Sequence, residues 1–434
     1  MPHRLTPLRA TRRTAAIATL GSFAVATGLA LVVPAPAQAA EVYPRPTNGR
    51  LAFVGRGFGH GIGMSQFGAE GMGRSGKNYH QILAFYYPGT TTSTVPRSTN
   101  LRVHLSAAPR LVAGHPAVTF AATPGAFAGV AGTAAATLPA RVHGAPVAGY
   151  RVLRAGAGLE LVALSPTGRR VVIAAQSDAI VVGSSSASGT AGPGDVATSR
   201  VTVRVGSSDR AYRGLVRVEP YGSGVVAVNV VRLQQYLYGV VGAEVPGGWT
   251  AAAYRAQAVA ARSYALLMRH IARQGRAPWD ICDTTCQAYG GIAWESASQN
   301  RAVDATASRY LSYDGTPALT MFSSADGGYT VAGSQPYLVA KPDPYDGIVT
   351  GAANWGHAWR ASVAARTIEA DWPQVGHLKA VVVVSRDGLG RWGGRVTSLR
   401  LRGTDGAVVV SADSFRWTVG LKSTWWRIHL PATS

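Results

Sequence analysis

Residues 236–267, YLYGVVGAEVPGGWTAAAYRAQAVAARSYALL, constrain this chain more than any other stretch, because they fix a buried run, a breaker and a long helix in succession. The apolar run over residues 237–241 reads as strand-like, and Pro246, Gly247 and Gly248 interrupt it. Thr250 is a good N-cap for a helix that continues to about residue 273, before Gly275. On that helix Tyr254, Ala258, Ala261, Ala265, Met268 and Ile271 recur at helical spacing as a packing stripe, with Gln257 and Arg262 at its edge. Glu244 is the one acidic residue of the segment and is expected on a loop between two packed elements. Loops held by rigid scaffolds collect catalytic groups, and partial burial beside Val245 and Trp249 raises a carboxyl pKa towards what a proton donor needs. The competing reading is a solvated loop glutamate.

The first 40 residues read as an export signal: Arg4, Arg9, Arg12 and Arg13 precede an apolar run over 15–33 and a small-residue cleavage site, Ala37-Gln38-Ala39. The Arg12-Arg13 pair fits a twin-arginine signal only in part, so a general secretory route competes with it. No further apolar stretch reaches the length of a membrane span, so the mature chain is expected to be secreted or wall-associated. Its formal charge, +21 over 434 residues, falls to about +17 after cleavage, which implies an anionic partner. Outside a cell that means anionic wall polymers or membrane surfaces; no run of consecutive basic residues marks a nucleic-acid stripe. The two cysteines, Cys282 and Cys286, favour one local disulfide in an oxidising compartment. Zinc would need two more ligands, with only His270 and Asp280 near, and neither a metal nor another cofactor is expected.

The remaining sequence predicts an α+β fold: a β-rich mixed core, the long Ala-rich helix beside the Glu244 loop, and an antiparallel β module. Short Val-, Leu- and Ala-rich runs such as LRVHL, GYRVL and RRVVIAA, broken by Gly and Pro, carry the module from residue 100 to about 180. A Ser-, Gly- and Ala-rich segment over 183–199 reads as a flexible loop, strands resume at VTVRV and GVVAVNVV, and a helix is expected over 296–308. Near the start of the mature chain, GRGFGHGIGMSQFGAEGM sets His60, Ser65 and Gln66 among glycines. The spacing is neither GxGxxG nor a Walker loop, and His60 lacks triad partners. A Gly-rich loop lets backbone approach a ligand closely, so these side chains are read as polar substrate contacts, with a structural turn as the alternative.

Taken together, GHGIGMSQFGAEGM, NVVRLQQYLYGVVGAEVP, AYRAQAVAARSYAL, CQAYGG and FSSADGGYT resemble the SpoIID/LytB family, named for stage II sporulation protein D and an amidase enhancer. The resemblance covers most of the mature chain. It implies a peptidoglycan lytic transglycosylase whose catalytic glutamate falls on Glu244, with a possible amidase partner. It also implies substrate-binding roles for Gln257, Arg262, Gln287, Tyr289, Ser323 and Ser324, with Gly327 and Gly328 in the same motifs. Arg262 would orient Glu244 or clamp a substrate carboxylate. The implied division is a signal peptide at 1–40, an N-terminal part of the catalytic domain at 41–99, an accessory β module at 100–205 and a SpoIID-like core at 206–434.

Two departures from the family pattern carry expectations. The GHGxGMSQ segment comes first here, where the familiar order puts it last, after a strand resembling SFRWTVGLKSTWWRI. This order looks circularly permuted, and predicts that residues 426–430 pair beside residues 51–54, returning His60 to the cleft of Glu244. The cysteine pair lacks the close histidines with which some relatives hold zinc. Glycoside hydrolysis uses two carboxyls, and Glu219 and Glu295 are weak candidates for a second. A lytic transglycosylase needs only one, because the C6 hydroxyl of the sugar attacks the anomeric carbon. A wall-binding modifier that stimulates an amidase is the rival from outside enzymology.

Overall fold

The computed structural model describes residues 41–112, 114–122, 126–130, 136–176, 179–184 and 195–429. The expected export signal at 1–40 and residues 185–194 of the Ser/Gly/Ala segment lie outside the described residues. Seven α-helices are described: α1 (Gln66–Arg74), α2 (Tyr79–Tyr86), α3 (Leu233–Glu244), α4 (Ala251–Gln274), α5 (Ala297–Ala305), α6 (Ala365–Asp371) and α7 (Ala412–Val419). With the strands they make an α+β fold.

Two seven-stranded sheets form the largest layer pair. One runs from Ile281–Cys282 through Asn100–His104, Gly224–Arg232, Leu215–Tyr221, Ile180–Ser184 and Ala126–Val130 to Ala136–Thr137. The other centres on Gly149–Ala155, His115–Ala121 and Arg200–Val205. Strands from both sides of residue 205 take part in each sheet. Alternation along Arg200–Val205 buries Val201, Val203 and Val205, and these meet Phe120, Val152 and Val218 between the sheets. The same core continues into α3 and one face of α4 through Tyr236, Leu237, Tyr254, Ala258 and Ala261.

A second core lies between the four-stranded sheet Glu41–Pro44, Leu378–Arg386, Val396–Gly403, Ala407–Ser411 and the three-stranded sheet Ala358–Ala364, Arg50–Arg56, Trp426–His429. In the latter, Phe53 lies opposite Ile428 and Gly55 opposite Trp426, in antiparallel register. Trp426–His429 therefore pairs with Arg50–Arg56, the arrangement expected of a permuted order. Trp426 is fully buried, edge-on to Phe53 at 5.1 Å. Burial of a ring that size contributes about 4 to 6 kcal/mol. The preceding residues, SFRWTV, are not strand but part of α7, capped by Ser411 and ended by Gly420 in the left-handed conformation.

One sequence expectation is corrected here. The apolar run over 237–241 is not a strand; it belongs to α3, whose last residue is Glu244. A short apolar run cannot be assigned from its pattern alone. Gly239 and Gly242 explain the choice: a Cβ at Gly239 would stand 2.9 Å from the Tyr289 ring, and one at Gly242 would stand 1.7 Å from the Trp294 carbonyl oxygen. The helix packs that closely because those positions have no side chain. By contrast α4 matches its caps, Thr250 accepting from the Ala253 N–H and Gly275 ending the helix. Its stripe is buried from Tyr254 to Ala265, whereas Ile271 is exposed. Ala253, Ala256 and Ala260 face a third core shared with α1 and α2, so α4 is buried on two sides and alanine lets both neighbours approach.

Candidate active site

Glu244 ends α3 because the next two residues cannot continue it. Val245 is extended at φ −126°, ψ 140°, as a residue before proline must be, and Pro246 follows. The turn that leads to α4 is pinned by Tyr254, whose hydroxyl accepts from the Trp249 N–H at 2.9 Å and donates to the Pro246 carbonyl at 2.9 Å. Glu70 of α1 secures the start of α4 from the other side, accepting from the Thr250 N–H at 2.8 Å and hydroxyl at 2.9 Å. This buried glutamate of the GAEGM string is thus a helix clasp, paired with Arg74 at 2.8 Å.

The Glu244 side chain projects from this frame into a cleft of about 730 Å³. The Ala288 N–H donates to its Oε1 at 2.8 Å. Burial raises its pKa above the ordinary carboxyl value, while the Ala288 N–H and the facing Gln66 amide pull the other way without cancelling the shift. The Ala288 donor is held by the cysteine loop. The Cys282 and Cys286 sulfurs are at bonding distance with Cα atoms 5.4 Å apart, and Gln287 accepts from the Tyr236 hydroxyl at 3.0 Å while donating to the Ala261 carbonyl at 3.2 Å. Among the described residues lining the cleft, Glu244 is the only carboxylate. Glu295 is tied to Arg213 by two bonds of 2.7 and 2.8 Å, and Glu219 is paired with Arg217; neither lines the cleft.

His60, Gln66, Gln287, Ser323 and Ser324 line the same cleft as Glu244. The glycine loop meets the FSSADGG segment at a parallel contact, Met64 beside Phe322 and Ser65 beside Ser323. Gly59, at φ +110°, lies so near that a Cβ there would come 2.6 Å from the Ser323 Cβ. The Ser323 hydroxyl accepts from the Gly61 N–H at 3.2 Å. His60 accepts at Nδ1 from the Ile62 N–H at 2.9 Å, which leaves its proton on Nε2. Burial, with Arg395 and Arg416 nearby, pushes its pKa down to about 4, so the imidazole is neutral at ordinary pH.

Four residues singled out from the sequence are placed elsewhere. Arg262 is 1% exposed and braces backbone, donating to the Arg309 carbonyl at 2.9 Å and to Gln234 Oε1 at 3.2 Å. Tyr289 is buried against Tyr236 and donates to Asn229 Oδ1 at 2.9 Å. Ser65 caps α1, accepting from the Gly68 N–H at 2.9 Å and donating to Asp346 at 2.6 Å. Gln257 is buried on α4 with neither amide atom hydrogen-bonded, on the helix face that carries Tyr264 two turns later. The aromatic lining comes instead from Trp249, Tyr264, Trp355 and Trp417 together with Phe58, Phe67 and Phe322.

Behind the glycine loop lies a closed acidic cluster, Asp326, Asp343 and Asp346, none of which lines the cleft. Asp346 accepts from the Asp326 and Gly327 N–H groups at 3.1 and 3.2 Å, and from His357 at 2.5 Å. Arg56 stands 2.7 Å from the other His357 nitrogen, and since arginine only donates, the imidazole proton faces Asp346. Burial and its two acidic neighbours push Asp326 well above the usual carboxylate range. Among the described residues no group of three His, Cys, Asp or Glu side chains is arranged to hold a metal ion.

Part of this site lies in a segment shared with known proteins. The family model for the stage II sporulation protein, SpoIID, matches residues 221–313, which run from the strand before α3 through α4, the cysteine loop and α5. The amidase enhancer of Bacillus subtilis is 39% identical over 117 residues, 25% of this chain and 15% of that protein. An uncharacterized protein of Brachyspira hyodysenteriae is 35% identical over 133 residues, 30% of this chain and 36% of that one. Stage II sporulation protein D of Bacillus subtilis is 55% identical over 38 residues, 9% of this chain and 11% of the relative. The chain thus spans well under half the length of each of these relatives. The segment 221–313, which builds the Glu244 wall, thus matches the SpoIID family, and over part of its length the chain is similar to relatives named amidase enhancer and stage II sporulation protein D.

Proposed function

We propose that this protein is an exported lytic transglycosylase that cuts the glycan strands of peptidoglycan with Glu244 as its single acid and base. The observation that carries this reading is a partly buried carboxyl of raised pKa on the wall of a cleft lined by no second carboxylate among the described residues. Protonated Glu244 donates to the glycosidic oxygen as the bond from the anomeric carbon of N-acetylmuramic acid breaks. The C6 hydroxyl of the same sugar attacks that carbon, and the carboxylate takes up the hydroxyl proton. The products are a 1,6-anhydro end and a free 4-hydroxyl on N-acetylglucosamine, with Glu244 restored and no water consumed.

Hydrolysis would need a base or nucleophile placed across the sugar from the acid. Gln66, Ser323, Ser324 and neutral His60 offer uncharged polar contacts, which suit a neutral pyranose. The high net positive charge suits anionic wall polymers around that substrate. In an exported protein Cys282 and Cys286 are oxidised, and their loop holds the Ala288 donor against Glu244.

A relative named an amidase enhancer favours a second reading, a wall-bound modifier that stimulates an amidase without cutting glycan. Glu244→Gln separates the two when glycan cleavage, wall binding and amidase stimulation are measured together. Lost cleavage with retained wall binding supports the enzyme. Unchanged stimulation by a chain that never cleaves glycan supports the modifier.

A further inference from the structure

Among the described residues three tryptophans are exposed, and two of them line the Glu244 cleft: Trp417 is 74% and Trp355 46% exposed. Tryptophan is highly buried on average, so two such rings in one cleft want a partner. Both come from outside residues 221–313. Neither is a loose side chain. Trp417 stands on α7, which is anchored by buried Phe415 against Phe53 and Trp426, and the Arg416 guanidinium lies 4.5 Å from its ring centroid. Trp355 is packed by Phe58 at 4.8 Å and by the Lys422 ammonium 4.3 Å from its centroid, while that ammonium also donates to the Trp355 carbonyl at 2.9 Å. The cleft lined by Glu244 is therefore also lined by two preset indoles, each with a cation at its ring.

We infer that Trp355 and Trp417 are stacking platforms for pyranose rings of the bound strand, and that Lys422 at the Trp355 platform pairs with a carboxylate carried by that strand. The ligand class rests on the glycan reading above. A sugar's apolar C–H face matches an indole face, and an indole loses little conformational freedom on binding because only two torsions are fixed. Among the described residues lining the cleft Glu244 is the lone carboxylate, and uncharged once protonated, so a carboxylate-bearing strand meets little like charge there.

The test uses the mature chain carrying Glu244→Gln, so that bound strands stay intact, and calorimetric titration with two soluble probes. One is a neutral N-acetylglucosamine hexamer; the other is a peptide-free strand of alternating N-acetylglucosamine and N-acetylmuramic acid, whose lactyl groups are carboxylates. Trp417→Ala and Trp355→Ala are each expected to weaken both probes about tenfold, near 1.4 kcal/mol. Lys422→Met is expected to weaken only the lactyl-bearing strand. An unchanged neutral affinity in that variant shows that Trp355 has kept its place. Unaltered affinity in both tryptophan variants, or a parent chain that binds neither probe, would overturn the platforms, and equal loss of both probes in Lys422→Met would overturn the charge pairing. Cleavage by the unsubstituted chain is scored separately: binding lost in the tryptophan variants while that chain cuts nothing removes the transglycosylase and leaves the sugar platforms standing.

Discussion

Glu244 is a partly buried and Asp346 a fully buried carboxyl, both within reach of the same glycine loop, yet their surroundings commit them to opposite tasks. Asp346 is fully buried and accepts from the Ser65 hydroxyl, two backbone N–H groups and His357, so its oxygens are used up tying the loop to the 343–346 turn. Glu244 has one backbone donor, an amide that faces it, and an open cleft in front. A raised pKa does not by itself mark a catalytic acid: burial raises Asp326 as well, and it does not line the cleft. What distinguishes Glu244 is unspent hydrogen-bonding capacity on the side where a substrate fits.

That contrast is broken or sharpened by paired substitutions. Glu244→Gln is expected to lower glycan cleavage by about two to four orders of magnitude, as loss of a general acid does, with the thermal midpoint of unfolding no lower than in the parent. Asp346→Asn should do the reverse in kind, costing about 3 kcal/mol of stability in urea titrations through the lost charge and mismatched donors. A variant of Asp346 that stayed fully stable and lost all activity would move the catalytic acid to the wrong cluster. Smaller again is Arg262→Met, which leaves the Arg309 carbonyl and Gln234 unpaired. We expect a loss of about 2 kcal/mol in stability and an unchanged KM; a large rise in KM would restore the substrate-clamp role expected from the sequence.

The smallest effect is a pH slope. Because the Glu244 pKa is higher folded than its ordinary value of 4.5, the folded state holds that proton more tightly than the unfolded one. Its contribution to stability is complete below 4.5 and is lost as the pH rises through the folded value. His60, lowered to about 4 from 6.5, slopes the other way: stability falls as the pH drops from 6.5 towards 4. Urea midpoints measured across this range should show the first slope vanish in Glu244→Gln while the second persists.

Local signals were legible in the sequence and long-range ones were not. Thr250 and Gly275 bounded α4 correctly, since a cap is decided within one turn. The permuted order led to the pairing of Trp426–His429 with Arg50–Arg56. The strand reading of residues 237–241 failed because the evidence for a helix lies in Tyr289 and Trp294, some fifty residues on, which fill the hollows at Gly239 and Gly242. Arg262 looked available for catalysis because its carbonyl partner belongs to Arg309. Glu70 gave no sign of clasping Thr250, 180 residues away. Trp417 gave no sign of its role, because its exposure beside buried Phe415 and Arg416 follows from α7, where the sequence suggested strand.

The central claim is that one carboxyl suffices in this cleft, and the chemistry of the cut ends tests it most directly. Purified peptidoglycan glycan should be digested with the mature protein and the released fragments resolved by mass spectrometry. Fragments ending in 1,6-anhydro-N-acetylmuramic acid, lighter by one water than hydrolytic products and absent with Glu244→Gln, are the expected result. Fragments with ordinary reducing ends would mean that water attacks and that a second group activates it, which contradicts the account.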